Sequence, residues 1–125
     1  MSETAPPTSA ELAILRVLWA HGPASVRQIN NIMNTDREIG YSTTLKMVQI
    51  MTEKGLLKKD ESVRPQIFRP ARPEEQTQLQ LIDDLIQKAF GGSASQLVLR
   101  AVSARRITPR ELSEIRRLIE KAKKR

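Results

Sequence analysis

Ser42, Lys46, Gln49 and Glu53 recur at steps of three and four residues, the spacing that places side chains on one face of an α-helix. Thr44, Met47, Val48 and Met51 fall on the opposite face as an apolar stripe, so the helix is expected to bury one side and show the other. The shown side carries recognition chemistry. In such a helix Lys46 can donate to guanine O6 or N7, and Gln49 can pair bidentately with adenine. Ser42 and Thr43, near the positive end of the helix, suit a phosphate, and Tyr41 is expected in the loop just before them. Arg64, in a later polar turn, and Arg27, near the start of the preceding helix, can reach a phosphate or a groove. Ile50 lies between the two faces and suits packing better than contact with a thymine methyl. Each of these polar residues also fits a plain solvated surface.

Catalytic chemistry finds little support. The single histidine, His21, has no second histidine and no cysteine to work with, so neither a metal set nor a nucleophile–base pair is expected. Glu74-Glu75 and Asp83-Asp84 are adjacent in sequence, and on a helix adjacent side chains diverge by about 100°, too far to flank one substrate atom. Gly91-Gly92 follows a helical pattern and not a strand, unlike a phosphate-binding loop. No enzyme activity, cofactor or metal is expected.

The elements that must position the polar face are well punctuated. Thr8-x-x-Glu11, Ser25-x-x-Gln28, Ser93-x-x-Gln96 and Thr108-x-x-Glu111 match capping boxes, in which hydroxyl and carboxyl or amide side chains satisfy first-turn amides reciprocally. A first helix is expected over 9–20 with Ile14, Leu15, Leu18 and Trp19 inward, ending at Gly22-Pro23. A second runs over 26–34 with Val26, Ile29, Ile32 and Met33 inward. A polar-capped third spans 42–54, and Gly55 stops it. Leu56 to Lys59 and Gln66 to Arg69 then read as strands around a polar turn. Three helices followed by a two-stranded wing make a winged helix-turn-helix, expected over 8–72 behind a disordered tail at 1–7.

Pro70 and Pro73 mark a boundary. Beyond it three more helical patterns are expected over 73–125, with Leu79, Ile82, Ile86 and Phe90, then Leu97 and Val98, then Leu112, Ile115 and Ile119 as apolar positions. So short a segment struggles to sustain its own core. A second copy that covers these residues in a closed two-fold dimer is the economical solution; folding back on the same chain is the alternative. The fold class expected is mainly α with a small β-wing, joined to a C-terminal three-helix dimerisation region.

The bulk composition agrees. The chain has 125 residues, 21 Lys plus Arg against 14 Asp plus Glu, a net charge of +7 and no cysteine. The excess favours a polyanionic partner, yet it is divided almost evenly along the chain and locates no site. Disulfides are excluded. No signal-peptide core or membrane-spanning run is apparent, which leads to an expectation of a soluble cytoplasmic protein without membrane insertion.

Three stretches resemble the penicillinase repressor family: Glu11-x-x-Ile14-Leu15-x-x-Leu18-Trp19, Tyr41-Ser42-Thr43-Thr44-Leu45 through Met51-Thr52-Glu53-Lys54-Gly55-Leu56-Leu57, and Phe90-Gly91-Gly92-x-x-x-x-Leu97-Val98-Leu99. The resemblance implies a homodimeric transcriptional repressor that grips a palindromic double-stranded operator with its winged helices. It also implies, for the antibiotic-resistance branch, release by a membrane-sensor metalloprotease that provokes cleavage in the short helix after the glycine pair. That bond joins Asn to Phe in those members, whereas Arg100-Ala101 occupies the corresponding place here, a departure that bears on cleavage specificity. The copper-responsive branch senses metal through cysteines that this chain lacks. Two other readings remain open at this point: a winged helix that docks on protein, and a non-specific architectural DNA binder.

Overall fold

A computed structural model describes residues 5–104 and 107–124. It contains α1 (Ser9–His21), α2 (Val26–Met33), α3 (Tyr41–Glu53), β1 (Leu57–Asp60), β2 (Ile67–Pro70), α4 (Glu74–Ala89), α5 (Ala94–Ala104) and α6 (Pro109–Lys123). The first five elements form a winged helix-turn-helix, in a chain that is mainly α with a small β-wing. Two compact units divide it, Met1–Ile82 and Asp83–Arg125. The division falls inside α4 and beyond Pro70–Pro73, because the first turns of α4 belong with the winged helix: Thr77 is buried there.

Capping boxes open three helices. Thr8, Ser25 and Thr108 each accept from the N3 amide, while Glu11, Gln28 and Glu111 reach back to the cap amide. At α5 the Ser93 hydroxyl accepts from the Gln96 amide at 3.2 Å. The third helix departs from the expected pattern. Tyr41 is its first residue and not a loop residue, and its N-cap is Gly40, which offers no side-chain hydrogen bond. The C-terminus of α3 is closed as the glycine requires. Gly55 has φ 84°, and the Leu56 and Gly55 amides return to the Met51 and Thr52 carbonyls at 2.9 and 3.1 Å, a Schellman closure that a Cβ-bearing residue would strain.

The wing begins and ends one residue later than its pattern indicates. Its strands pair antiparallel, Leu57 opposite Pro70 and Asp60 opposite Ile67. Ala24, in the linker that Gly22-Pro23 opens, exchanges backbone hydrogen bonds with Phe68 at 2.8 and 3.0 Å. This bridge ties the start of α2 to the wing. Ile14, Leu15, Leu18, Ala24, Val26, Ile29, Val48, Met51, Leu57 and Phe68 close into one core. Ile32, Met33, Met47 and Trp19, expected inward, are only half-buried. The Trp19 indole N–H is enclosed without a partner, a cost of about 1–3 kcal/mol. Of the expected tail, Pro7 is buried, Pro6 half-buried and Ala5 exposed, and residues 1–4 lie outside the described residues.

The second unit is different in kind. Neither α5 nor α6 contains a buried residue. Leu85, Val98, Leu99, Leu112, Leu118 and Ile119 are all at least 43% exposed. Of the apolar positions named from sequence, Ile86 is buried, Phe90, Leu97 and Ile115 are half-buried, and Leu79 and Ile82 are exposed. Among the described residues no helix is long and apolar enough to cross a membrane.

Candidate nucleic-acid interface

The outward face of α3 is assembled from the core upward. Thr44, Val48 and Met51 are 1%, 0% and 0% exposed, and that fixes the opposite side of the helix toward solvent. Ser42, Thr43, Lys46, Gln49 and Glu53 are all exposed. Ile50 is half-buried, in keeping with a packing role. Because Gly40 supplies no cap, the first-turn amides of α3 remain open to water or to a ligand.

Beside this face lies a concave groove of about 800 Å³, whose lining includes Arg27, Tyr41, Gln49, Lys59 and Arg64 above a floor of Leu45 and Phe68. The fold therefore brings Arg27, Gln49 and Arg64, distant in sequence, to one surface. Ser42, Thr43 and Lys46 do not line the groove and form the neighbouring ridge of α3. Tyr41 is the residue that pattern reading undervalued. The Arg27 guanidinium sits 4.3 Å from the centre of its ring, a cation–π contact worth about 0.5–1 kcal/mol at exposed sites. Nothing in the spacing of residues 27 and 41 announces that contact.

Charge is not equally available across the surface. Lys54 is committed to Glu11, Nζ to Oε2 at 2.6 Å, and Lys59 to Glu61 at 2.8 Å. The hydrogen bond from Lys59 holds the Glu61 carboxyl below its ordinary value. At Asp60 the hydrogen bonds from Ser62 act in the same direction. Arg27, Lys46 and Arg64 make no ion pair among the described residues, although the charge of Arg64 still acts on the nearby Glu61 carboxylate. Glu11 itself is 3% exposed. Burial pushes its carboxyl up, but hydrogen bonds from Lys54 and the Thr8 backbone outweigh burial and leave it below the usual carboxylate range. The pair joins the start of α1 to the end of α3 and steadies α3 at its rear.

The remaining candidates are placed plainly. His21 is exposed at the end of α1. Glu74 accepts from Gln78, and Asp84 pairs with Lys88 at 3.2 Å. No grouping of His, Cys, Asp or Glu suited to a metal occurs among the described residues. Arg100 and Ala101 are exposed on α5.

The sequence profile of the penicillinase repressor family matches residues 7–121. No curated protein matches the chain. Among solved structures, the monomeric form of BlaI from Bacillus licheniformis, in complex with the blaP half-operator, is similar at a TM-score of 0.52 with 20% identity, covering 60% of this chain and 92% of that one. A MarR family protein from Bacillus stearothermophilus is similar at a TM-score of 0.53 with 21% identity, covering 96% of this chain and 75% of that one. At these identities the two structures speak to the fold alone.

Proposed function

The chain belongs to the penicillinase repressor family, and from that premise we propose that it represses transcription by occupancy, as a homodimer seated on an inverted-repeat DNA operator. The observation that carries the proposal is the set of exposed cations without an ion pair among the described residues, Arg27, Lys46 and Arg64, around an α3 face whose polar residues are all exposed. The N-terminal part of a recognition helix meets base edges in the major groove. Lys46 and Gln49 supply the discriminating donors, and Arg27, Arg64, Ser42 and Thr43 hold the backbone. Release of counterions from the phosphates gives the affinity its salt dependence.

The exposed apolar residues of α5 and α6 support the dimer. Isolated helices this short are marginal in water, and covering Leu112, Leu118 and Ile119 with a second copy removes the surface that makes them so. Two recognition helices held about 34 Å apart then enter successive major grooves of one duplex face. Each half-site alone binds weakly, and the tether supplies the effective concentration of the second. Anything that severs or loosens the helices therefore relieves repression. Cleavage near Arg100-Ala101 by a membrane-sensor metalloprotease system is one such route, and it requires the exposed α5 to unwind locally.

The test is selection of duplexes from a randomised pool by the full chain, followed by titration of the enriched sequence at several salt concentrations. An enriched inverted repeat, bound by two copies with an affinity near 10⁻⁸ M or tighter at physiological salt, is the expected result. Binding that is steep in salt but indifferent to sequence would make the chain an architectural DNA binder instead. Absence of binding to any duplex would turn attention to protein partners for the same face.

A further inference from the structure

We propose that Asn30 is a positioning residue for the recognition helix, and that the discrimination between DNA sequences depends on the buried bracket it makes with Thr44. The inference rests on the DNA-binding reading above. Asn30 lies on the inward side of α2 and is 6% exposed, where an amide is costly unless it is hydrogen-bonded. Its amide nitrogen donates to the Ile39 carbonyl and to the Thr44 hydroxyl, both at 2.9 Å. The Ile39 carbonyl can only accept, so the orientation of the amide follows from its partner. Asn34, the C-cap of α2, completes the bracket: its nitrogen donates to the Asn30 and Ile39 carbonyls at 2.8 and 3.0 Å, and its oxygen accepts from the Ile39 amide at 2.6 Å. One network thus holds the last turn of α2, the loop at 35–40 and the first turns of α3.

The position of this bracket matters because α3 lacks the device that fixes three of the other helix starts. α1, α2 and α6 begin at capping boxes, and α3 begins at Gly40 with no side-chain cap. Its start is held from inside, through Thr44. Each helical residue advances about 100°, so Thr44 stands roughly opposite both Ser42 and Lys46. Pinning the Thr44 hydroxyl sets the rotation of α3 about its own axis and with it the aim of those outward side chains. Dispersion contacts at Val48 and Met51 tolerate a small rotation, whereas a hydrogen bond weakens steeply with angle. A turn of about 20° moves a side-chain tip by roughly 2 Å. Phosphate contacts through long cations absorb such a shift; base-edge contacts do not. Loss of the bracket therefore degrades discrimination more than general affinity.

The experiment uses the full chain and the duplex it enriches from a randomised pool, alongside a scrambled duplex of equal length, at one salt concentration. Thermal unfolding is followed by circular dichroism. Asn30→Leu and Thr44→Val are expected to stay folded and to bind the enriched duplex about tenfold or more weakly, while binding to the scrambled duplex stays within about twofold. Thr44→Ser, which keeps the hydroxyl, is expected to keep the discrimination of the unaltered chain. If Asn30→Leu does not fold, the two Thr44 variants decide the matter. Unchanged discrimination in Thr44→Val overturns the inference. So does a parallel loss on both duplexes, which would reveal a merely structural role. A pool that enriches nothing, seen before any variant is made, overturns the DNA reading itself and this inference with it.

Discussion

The two units of this chain bury apolar side chains on opposite terms. In the first, Ile29, Val48 and Met51 reach 0% exposure, drawn from two helices that meet over the wing. In the second, Leu99 and Leu118 stand 61% and 60% exposed on helices that contain no buried residue. The helices of both units are amphipathic, so the pattern of a helix does not reveal whether its partner lies in the same chain. What separates them is closure. The wing and the Ala24–Phe68 bridge give the first three helices a lid, whereas neither α5 nor α6 contains a buried residue.

That contrast can be broken at the exposed helices, where the largest effect is expected. Leu112→Glu combined with Ile119→Glu should abolish the proposed dimer in sedimentation and weaken binding to a two-half-site duplex by about 10²–10⁴, leaving a single half-site unaffected. Equal loss on the half-site would mean that the helices serve the first unit after all. In the unaltered chain, unfolding of the second unit should shift upward with protein concentration, as mass action demands of the proposed dimer, and unfolding of the first should not.

The core of the first unit should respond next. Met51→Ala is expected to cost about 2–5 kcal/mol by the lost burial and the cavity left behind, read by denaturant unfolding at a fixed concentration. A smaller effect follows at Glu11→Gln, about 1–3 kcal/mol, because a nearly buried carboxylate loses its bond to Lys54. Its pH dependence has a definite sign. The folded carboxyl lies below its ordinary value, so its stabilisation is complete above the unfolded pKa and disappears as pH falls through the folded one. The two proteins should converge in acid.

Smaller still is Arg27→Ala. It should reduce the slope of log affinity against log salt by about one, and Tyr41→Phe, which keeps the aromatic face under Arg27, should leave that slope unchanged. Arg117→Ala, which removes an exposed pair with Glu114 at 2.6 Å, should alter stability by at most about 0.5 kcal/mol.

Much of this architecture was legible from residue order. Helix starts were readable because a hydroxyl and, three residues on, a carboxyl or amide side chain satisfy first-turn amides locally, and α1, α2 and α6 obeyed. The stop at Gly55 was readable because a left-handed residue disfavours a side chain. The start of α3 was misread. Tyr41-Ser42-Thr43 looks like a polar cap preceded by a loop, but Gly40 takes the cap position and Tyr41 enters the helix. As the first residue of the helix, Tyr41 lines the groove, where its ring meets Arg27.

Sequence alone determined where the helices lie, which side of α3 is apolar, and that the chain carries neither thiol nor a second imidazole for catalysis. Those features depend on neighbours within a few residues, or on composition, and need no knowledge of the fold. Only the tertiary structure decided which cations are spent, Lys54 on Glu11 and Lys59 on Glu61, and which stay without an ion pair among the described residues near the groove. It also decided that Asn30 and Thr44, separated by a turn, bolt α2 to α3 from within. Such pairings are set by a few ångströms between elements remote in the chain, and residue spacing carries no measure of that distance.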